Sequence, residues 1–432
     1  MSNQKKQWAA IIVMIGLFAM IAFVTNLCSP MGVIVKNQFG CSNFLAMIGN
    51  YGNFGAYLLM GIPSGIMIQK YGYKKTALIG LIVGITGILI QWLSGWGGFL
   101  VYLIGALISG ACMCILNTVV NPMLNLLGGG GKTGNQLIQT GGVFNSTAAV
   151  AVYIIMGALI GDAAKAKIAD ATPALFIALG IFVLAFIIIF FTKIDEPQQP
   201  TKETTEKKDK HSAWSFRHFI LGALAIGIYG AVEMGPPGFI LQYLTAPVNP
   251  AEGATPGLGM DAGYAGTLGA VYFILMLIGR FAGASVGGKI TTKAMMTFVS
   301  ALAVILTALG IFLPSDITIN FPGIDYVTMS LIWGEIPIGV FCFLLIGLCA
   351  SVMWGGIFNL ATEGLGKYTA MASGIFMTMV VGFAIMVALQ GLVADISGSY
   401  LISFFVPLIA AVYILWYSVI GSKNVNTDIP TE

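Results

Sequence analysis

Twelve stretches of this 432-residue chain are apolar over lengths that match a bilayer, and a single long stretch between them is not. A membrane helix needs about 20 mostly apolar residues. The runs fall near 8–35, 44–69, 76–94, 99–127, 136–161, 172–192, 216–244, 261–288, 294–313, 336–362, 368–394 and 399–420. In lipid every backbone polar group has to be satisfied internally, so runs of this length specify helices. The expected fold is an all-α integral membrane bundle of twelve transmembrane helices. The exception, Lys193 to Arg217, reads KIDEPQQPTKETTEKKDKHSAWSFR and divides the runs six and six. Its composition is that of a solvated linker. The expected organisation is a six-helix bundle over 1–192, a linker over 193–215, and a second bundle with a short tail over 216–432.

Only 9% of the residues are charged, against about 25% in soluble domains. The net charge of +3 is too small to attract nucleic acid. The two histidines, His211 and His218, are both read with the polar stretch, so no histidine centre is expected inside the apolar mass. The six cysteines read as small buried hydrophobes rather than a disulfide framework. The Cys112-x-Cys114 pair has no histidine or carboxylate beside it to complete a metal site. No cofactor is implied. The stretch GGGGKT at Gly128–Thr133 lacks the first glycine of a phosphate loop, because Leu126 holds that position. It follows no strand and reads as a tight turn. An integral membrane hydrolase would need a nucleophile with its base, or paired carboxylates, and the in-span acids are few and dispersed.

Lysine and arginine are distributed unevenly between the alternate sides of the helices, and cytoplasmic loops carry the excess. With both termini inside, Lys5, Lys6, Lys70, Lys74, Lys75, Lys132, the linker bases, Lys289, Lys293, Lys367 and Lys423 are cytoplasmic. Only Lys36, Lys165 and Lys167 face outward. The expected location is the plasma membrane, which is the inner membrane of a Gram-negative cell. The first run continues through Asn26 and Pro30 and does not have the form of a cleaved signal peptide. The longest outer connections, 245–260 and 314–335, read as ordered turns.

Local motifs sharpen the six-plus-six layout. After the second run comes GIMIQKYGYKK, Gly65 to Lys75. It resembles the loop motif Gly-x-x-x-Asp-Arg-x-Gly-Arg-Lys of the major facilitator superfamily, with Gln69 in place of the Asp. Gly65, Lys70, Gly72 and Lys74 match in type and suggest a clamp in which basic side chains cap helix-end carbonyls. Further stretches resemble one branch, the fucose–galactose–glucose:proton symporters. They are LNTVVNPMLNLLG (Leu116–Gly128), Phe144-Asn145-Ser146, IYGAVEMGPPGFILQYL (Ile228–Leu244) and IGRFAG (Ile278–Gly283). The matches run in order through both halves. The resemblance implies two six-helix bundles that rock about a central site, a small-molecule sugar substrate, a coupling proton, and a monomer in the lipid bilayer.

Ionisable groups inside a membrane are costly and invite a functional reading. Glu233 lies within the seventh run, just before Gly235-Pro236-Pro237, where two prolines disturb the helix. It is the candidate coupling carboxylate and a candidate sugar ligand; a structural carboxylate paired with a neighbour is the alternative. Arg280 is read as structural or gating, paired with Glu363 or with helix carbonyls. Asn117, Asn121 and Asn125 recur every four residues on one helix face. Amides both donate and accept, as a neutral polyol requires; interhelical glue is the competing role. Asn26, Ser29, Gln139, Asn145, Gln242, Trp354 and Asn359 complete the candidate substrate-binding set. Trp354 and Tyr229 are read as aromatic faces for a sugar or as packing residues.

One departure bears on mechanism. The branch carries carboxylates in its first and fourth spans, where this chain has Ser29 and Asn117. Neither exchanges a proton near neutral pH. The resemblance therefore leaves open coupling through Glu233, sodium coupling, or a uniporter. An acidic-sugar carrier relying on Arg280, or an exporter of lipophilic cations relying on Glu233, are further alternatives.

Overall fold

The computed structural model describes residues 8–39, 43–160, 167–192, 211–249, 255–260, 262–325, 330–426 and 428–431. All twelve apolar runs lie on helices. The first five helices are α1 (Trp8–Phe39), α2 (Asn43–Gly97), α3 (Phe99–Leu127), α4 (Gly131–Ile160) and α5 (Ile168–Phe191). They are followed by α6 (Arg217–Glu233), α7 (Gly235–Thr245), α8 (Ala262–Val286) and α9 (Thr292–Phe312). After a hairpin come α10 (Ile338–Thr362), α11 (Thr369–Thr378), α12 (Gly382–Ser397), α13 (Tyr400–Ser403) and α14 (Phe405–Trp416). Among the described residues ten helical segments are long and apolar enough to cross a membrane, and one of them, Asn53–Gly97, contains two of the predicted runs.

Those two runs are separated at Gly72, where φ is +85°. L side chains rarely adopt that backbone, so the glycine of the motif is required by geometry. Just beyond it the Lys74 ammonium donates to the carbonyls of Phe190 (3.0 Å) and Thr192 (2.8 Å) at the end of α5. These are orphan carbonyls that a helix end leaves without amide donors. Lys70 does not share this task; it lies over the ring of Tyr71.

By contact the chain forms two units. The first comprises residues 1–220, 362–381 and 424–432, so α11 packs with α2 and α3. Gly61 and Gly65 on α2 face Gly374 on α11: a methyl at Gly65 would sit 3.0 Å from the Ala370 carbonyl oxygen, and one at Gly374 2.5 Å from that of Gly61. Small residues allow such backbone approach where apolar burial alone does not drive helices together in lipid. The Ser373 hydroxyl donates to the Thr118 carbonyl of α3 at 2.9 Å. Also in this unit, His218 is fully buried rather than solvated with the polar stretch. It lies in the first turn of α6, and its Nε2 stands 3.0 Å from the Glu363 carbonyl oxygen.

The second unit comprises residues 221–361 and 382–423. The connection between α9 and α10 corrects the expectation of ordered turns over 314–335. Thr318–Asp325 (β1) and Ser330–Pro337 (β2) form an antiparallel hairpin with Phe321 opposite Gly334. Tyr264 of α8 mounts it. Gly323 and Gly334 lie over the Tyr264 ring, and its hydroxyl is 2.8 Å from the Phe321 carbonyl oxygen and 3.0 Å from that of Gly334. In the other long connection, 245–260, the described residues form turns. The amides of Leu258 and Met260 donate back to the Tyr243 and Leu244 carbonyls at 2.9 and 2.7 Å.

Tyr264→Phe removes a hydroxyl that ties both strands to α8 through one atom. Amide exchange in residues 319–323 and 332–336 is expected to quicken about two- to tenfold, the ~0.5–1.5 kcal/mol of a net hydrogen bond. Exchange in α9 serves as the control, and equal exchange in both proteins would remove this role from Tyr264. Cys112, Cys114, Cys342 and Cys349 are buried free thiols. Cys28 and Cys41 lie outside the described side chains.

Candidate functional site

The polar centre of the second unit is built where α6 stops. Proline has no amide hydrogen, so Pro236 and Pro237 leave the carbonyls of Val232 and Glu233 without their helical donors. The Tyr272 hydroxyl of α8 replaces one of them, donating to the Val232 oxygen at 2.8 Å. The chain then restarts as α7 with prolines in its first turn, where a missing amide hydrogen costs nothing.

Glu233 is the last residue of α6, at this break. Its partner is Arg280 of α8, with Nη2 3.6 Å from Oε1; the two side chains are 12% and 10% exposed. Arg280 was expected to pair with Glu363 or with helix carbonyls, and it is the second that the structure shows, beside the pair with Glu233. Glu363 has an exposed side chain and its backbone carbonyl accepts from His218. The nearer carboxylate at the helix break takes the guanidinium. The Nε of Arg280 also donates to the Ser351 carbonyl of α10 at 3.3 Å. Tyr229, one helical turn before Glu233, donates its hydroxyl to the adjacent carbonyl, Ala350, at 2.8 Å. Tyr229 and Arg280 thus hold neighbouring carbonyls of α10 while both face Glu233.

Close packing fixes this geometry. A methyl at Gly279 would meet the Leu348 carbonyl oxygen at 2.6 Å, and one at Gly347 would meet that of Tyr272 at 2.5 Å. Tyr229 is fully buried, with its ring edge-on to Phe383 at 5.7 Å. Of the two readings given for it, a sugar face or packing, these contacts support packing. Trp354, one turn beyond Ala350, is half-buried and packs at 6.0 Å from Phe383. Gln242 is exposed on α7. Asn359 is buried with its Oδ1 accepting from Thr292 at 3.0 Å, a helix-to-helix tie.

The first unit gathers the amides differently. Asn117 donates to the Tyr57 hydroxyl at 2.8 Å, and Asn121 donates to the Asn117 carbonyl at 2.9 Å. Both are buried. Gln139 lies 3.5 Å from Asn135 Oδ1 on its own helix, and Asn145 donates to the Phe18 carbonyl of α1 at 2.9 Å. Asn26 donates to the Ala22 carbonyl of its own helix at 2.8 Å. The Ser29 side chain lies outside those described. Spacing placed Asn117 on a face but gave no sign of Tyr57, 60 residues earlier. Tyr229, Tyr272 and Ser351 were likewise missed as neighbours of Glu233; only the four-residue step from Tyr229 to Glu233 could have signalled one of them. Among the described residues no cluster of histidine, cysteine and acids has metal-site form.

Long apolar helices around buried polar groups, with one carboxylate–guanidinium pair at a helix break, define a multi-pass membrane protein. The chain belongs to the Major Facilitator Superfamily, whose model matches residues 13–381. It is 30% identical over 430 residues to a glucose/galactose transporter of Brucella abortus biovar 1 (strain 9-941), covering 98% of this chain and 96% of that one. It is 20% identical over 409 residues to the L-fucose-proton symporter of Escherichia coli (strain K12), covering 89% and 86% of the two chains. The crystal structure of the transporter FucP in the outward conformation superposes with a TM-score of 0.77 at 19% identity, covering 96% of this chain and 99% of that one. That likeness concerns the fold. The chain is a transporter and not an enzyme.

Proposed function

We propose that the chain imports a neutral monosaccharide by alternating access between two six-helix bundles, residues 1–192 and 216–432, coupled to a proton carried by Glu233. Both termini are cytoplasmic, in the plasma membrane or the inner membrane of a Gram-negative cell, and the working unit is a monomer. The substrate class rests on the glucose/galactose and L-fucose relatives, and on buried amides that both donate and accept, as sugar hydroxyls require. The observation that carries the coupling is the Glu233–Arg280 pair. Asn117 occupies the position of the branch's fourth-span carboxylate and is committed to Tyr57. That leaves Glu233 as the buried carboxylate at a helix break, held by a cation that stabilises its charge until a proton replaces it.

The site residues are proposed in the same terms. Asn26, Ser29, Asn117, Asn121, Gln139, Asn145, Gln242, Trp354 and Asn359 are candidates for sugar contact, together with Glu233. Gly65, Lys70, Gly72, Lys74, Arg280 and Glu363 are assigned to structure and gating, with Lys74 the best supported by its α5 caps.

The test uses purified protein in liposomes with labelled glucose, galactose, fucose and mannose. An inward proton gradient is expected to concentrate one of these sugars, and Glu233→Gln to abolish the accumulation. Accumulation surviving in the mutant would remove Glu233 from coupling. Uptake indifferent to the gradient would favour an uncoupled facilitator, the second reading that Asn117 supports. Failure to transport any sugar would overturn the substrate class.

A further inference from the structure

We infer that Tyr229 is a positioning residue that converts the protonation state of Glu233 into a contact between α6 and α10. The inference rests on the proposed role of Glu233 and deepens it.

Tyr229 and Glu233 are four residues apart on α6, so their side chains lie one above the other on a single face. The phenol carries one proton and has two acceptors within its compass. One is the Ala350 carbonyl, which it engages at 2.8 Å; the other is the Glu233 carboxylate on its own helix. Arg280 has no such choice to make, because its Nη2 faces Glu233 at 3.6 Å while its Nε donates to the Ser351 carbonyl at 3.3 Å. The single phenol proton of Tyr229 is therefore the donor that chooses between the carboxylate and the Ala350 carbonyl of α10.

The choice depends on charge. A carboxylate is the stronger acceptor, because hydrogen bonds to ionised groups are roughly twice as strong as neutral ones. With Glu233 ionised, the phenol hydrogen is drawn to it and the Ala350 carbonyl of α10 loses its donor. With Glu233 protonated, the carboxyl becomes a donor itself. Its O–H serves the phenol oxygen, and the phenol hydrogen stays on Ala350. The phenol keeps its proton throughout; only its acceptor changes. One proton at Glu233 thereby tightens or loosens the grip of α6 on α10, while the Arg280 bond from α8 to Ser351 stays in place. Among the described residues Tyr272 also faces Glu233, with its hydroxyl committed to Val232, and the thiol of Cys349 lies near Tyr272. Neither offers a competing charge near neutral pH.

The test compares Tyr229→Phe with Glu233→Gln and Tyr272→Phe in liposomes, with labelled galactose and glucose as probes. Two modes are measured: proton-driven accumulation, and counterflow exchange, which moves no net proton. Tyr229→Phe is expected to cut accumulation at least about fivefold, the lower range of coupling between two sites, while exchange falls far less. Tyr272→Phe is expected to lower both modes together. An infrared measurement on ring-labelled tyrosine accompanies this. One phenolic C–O band should shift with pH in the parent protein and stay fixed in Glu233→Gln, which serves even if Tyr229→Phe folds poorly.

Equal losses of accumulation and exchange in Tyr229→Phe would make the residue structural and overturn the inference. So would normal accumulation in Tyr229→Phe alongside an uncoupled Glu233→Gln, and the reading of Glu233 would then stand. Accumulation surviving in Glu233→Gln would overturn that reading itself.

Discussion

Arg280→Leu will yield little folded protein, and the double substitution Arg280→Leu/Glu233→Gln will recover most of it. Both charges are about nine-tenths buried, and each is the other's ion-pair partner. Removing one partner of such a pair leaves an uncompensated charge in a low-dielectric interior, which typically costs 3–5 kcal/mol, or roughly half of a domain's net stability. Replacing both with neutral groups is often close to neutral, because neither desolvation penalty is then incurred. The Ser351 carbonyl loses its guanidinium in both variants, so that bond cancels from the comparison. The measurement is the thermal midpoint of monodisperse protein in detergent. The double variant should melt well above Arg280→Leu. Equal midpoints would mean that the two charges are energetically independent and that the pair does not organise the break between α6 and α7.

Gly374→Val will separate α11 from α2 and shorten the protein's survival in detergent, whereas Gly65→Ala will be mild. The two contacts differ in what a new side chain meets. At Gly374 the first methyl would stand 2.5 Å from the Gly61 carbonyl oxygen and 2.9 Å from the Gly65 Cα. Those are backbone atoms that move only with their helix. At Gly65 the nearest atom is at 3.0 Å and the next at 3.3 Å, which a shift of a few tenths of an ångström relieves. Overpacking a well-filled contact costs about 1–3 kcal/mol, and the branched side chain lies at or above the top of that range. Thermal midpoints should fall in the order parent, Gly65→Ala, Gly374→Val, with the Ser373 to Thr118 bond lost only in the last. Similar midpoints for the three would mean that α11 is held by its other contacts.

The helices were legible because a bilayer imposes a length and a composition that any window of the sequence reveals. The break after Glu233 was legible because proline cannot donate. Gly72 was legible because its motif places glycine where φ is positive. What escaped was direction. A spacing of four puts Asn117 and Asn121 on one face, but it does not say toward which helix that face turns. The partners Tyr57 for Asn117 and Arg280 for Glu233 are 60 and 47 residues away along the chain and adjacent only after packing. His218 followed the composition of its neighbours into the polar stretch, yet the helix already begins at Arg217 and carries it inward. The first strand did leave a trace: Ile317, Ile319 and Phe321 alternate with period two. Pro322 and Gly323 within the first strand disguised it as turn.

The thiols of the fold make the native chain a convenient background for reporter chemistry. Cys112, Cys114 and Cys349 have essentially no exposed surface, and Cys342 has 7%. A membrane-impermeant maleimide reacts with thiolates that water can reach, and these offer it almost none. With Cys28 and Cys41 changed to serine, a single cysteine introduced at any position would supply nearly all of the labelling signal. The interior needs no re-engineering, so its packing remains that of the native carrier. The opening and closing of each side could then be followed as a labelling rate, with and without sugar, one site at a time.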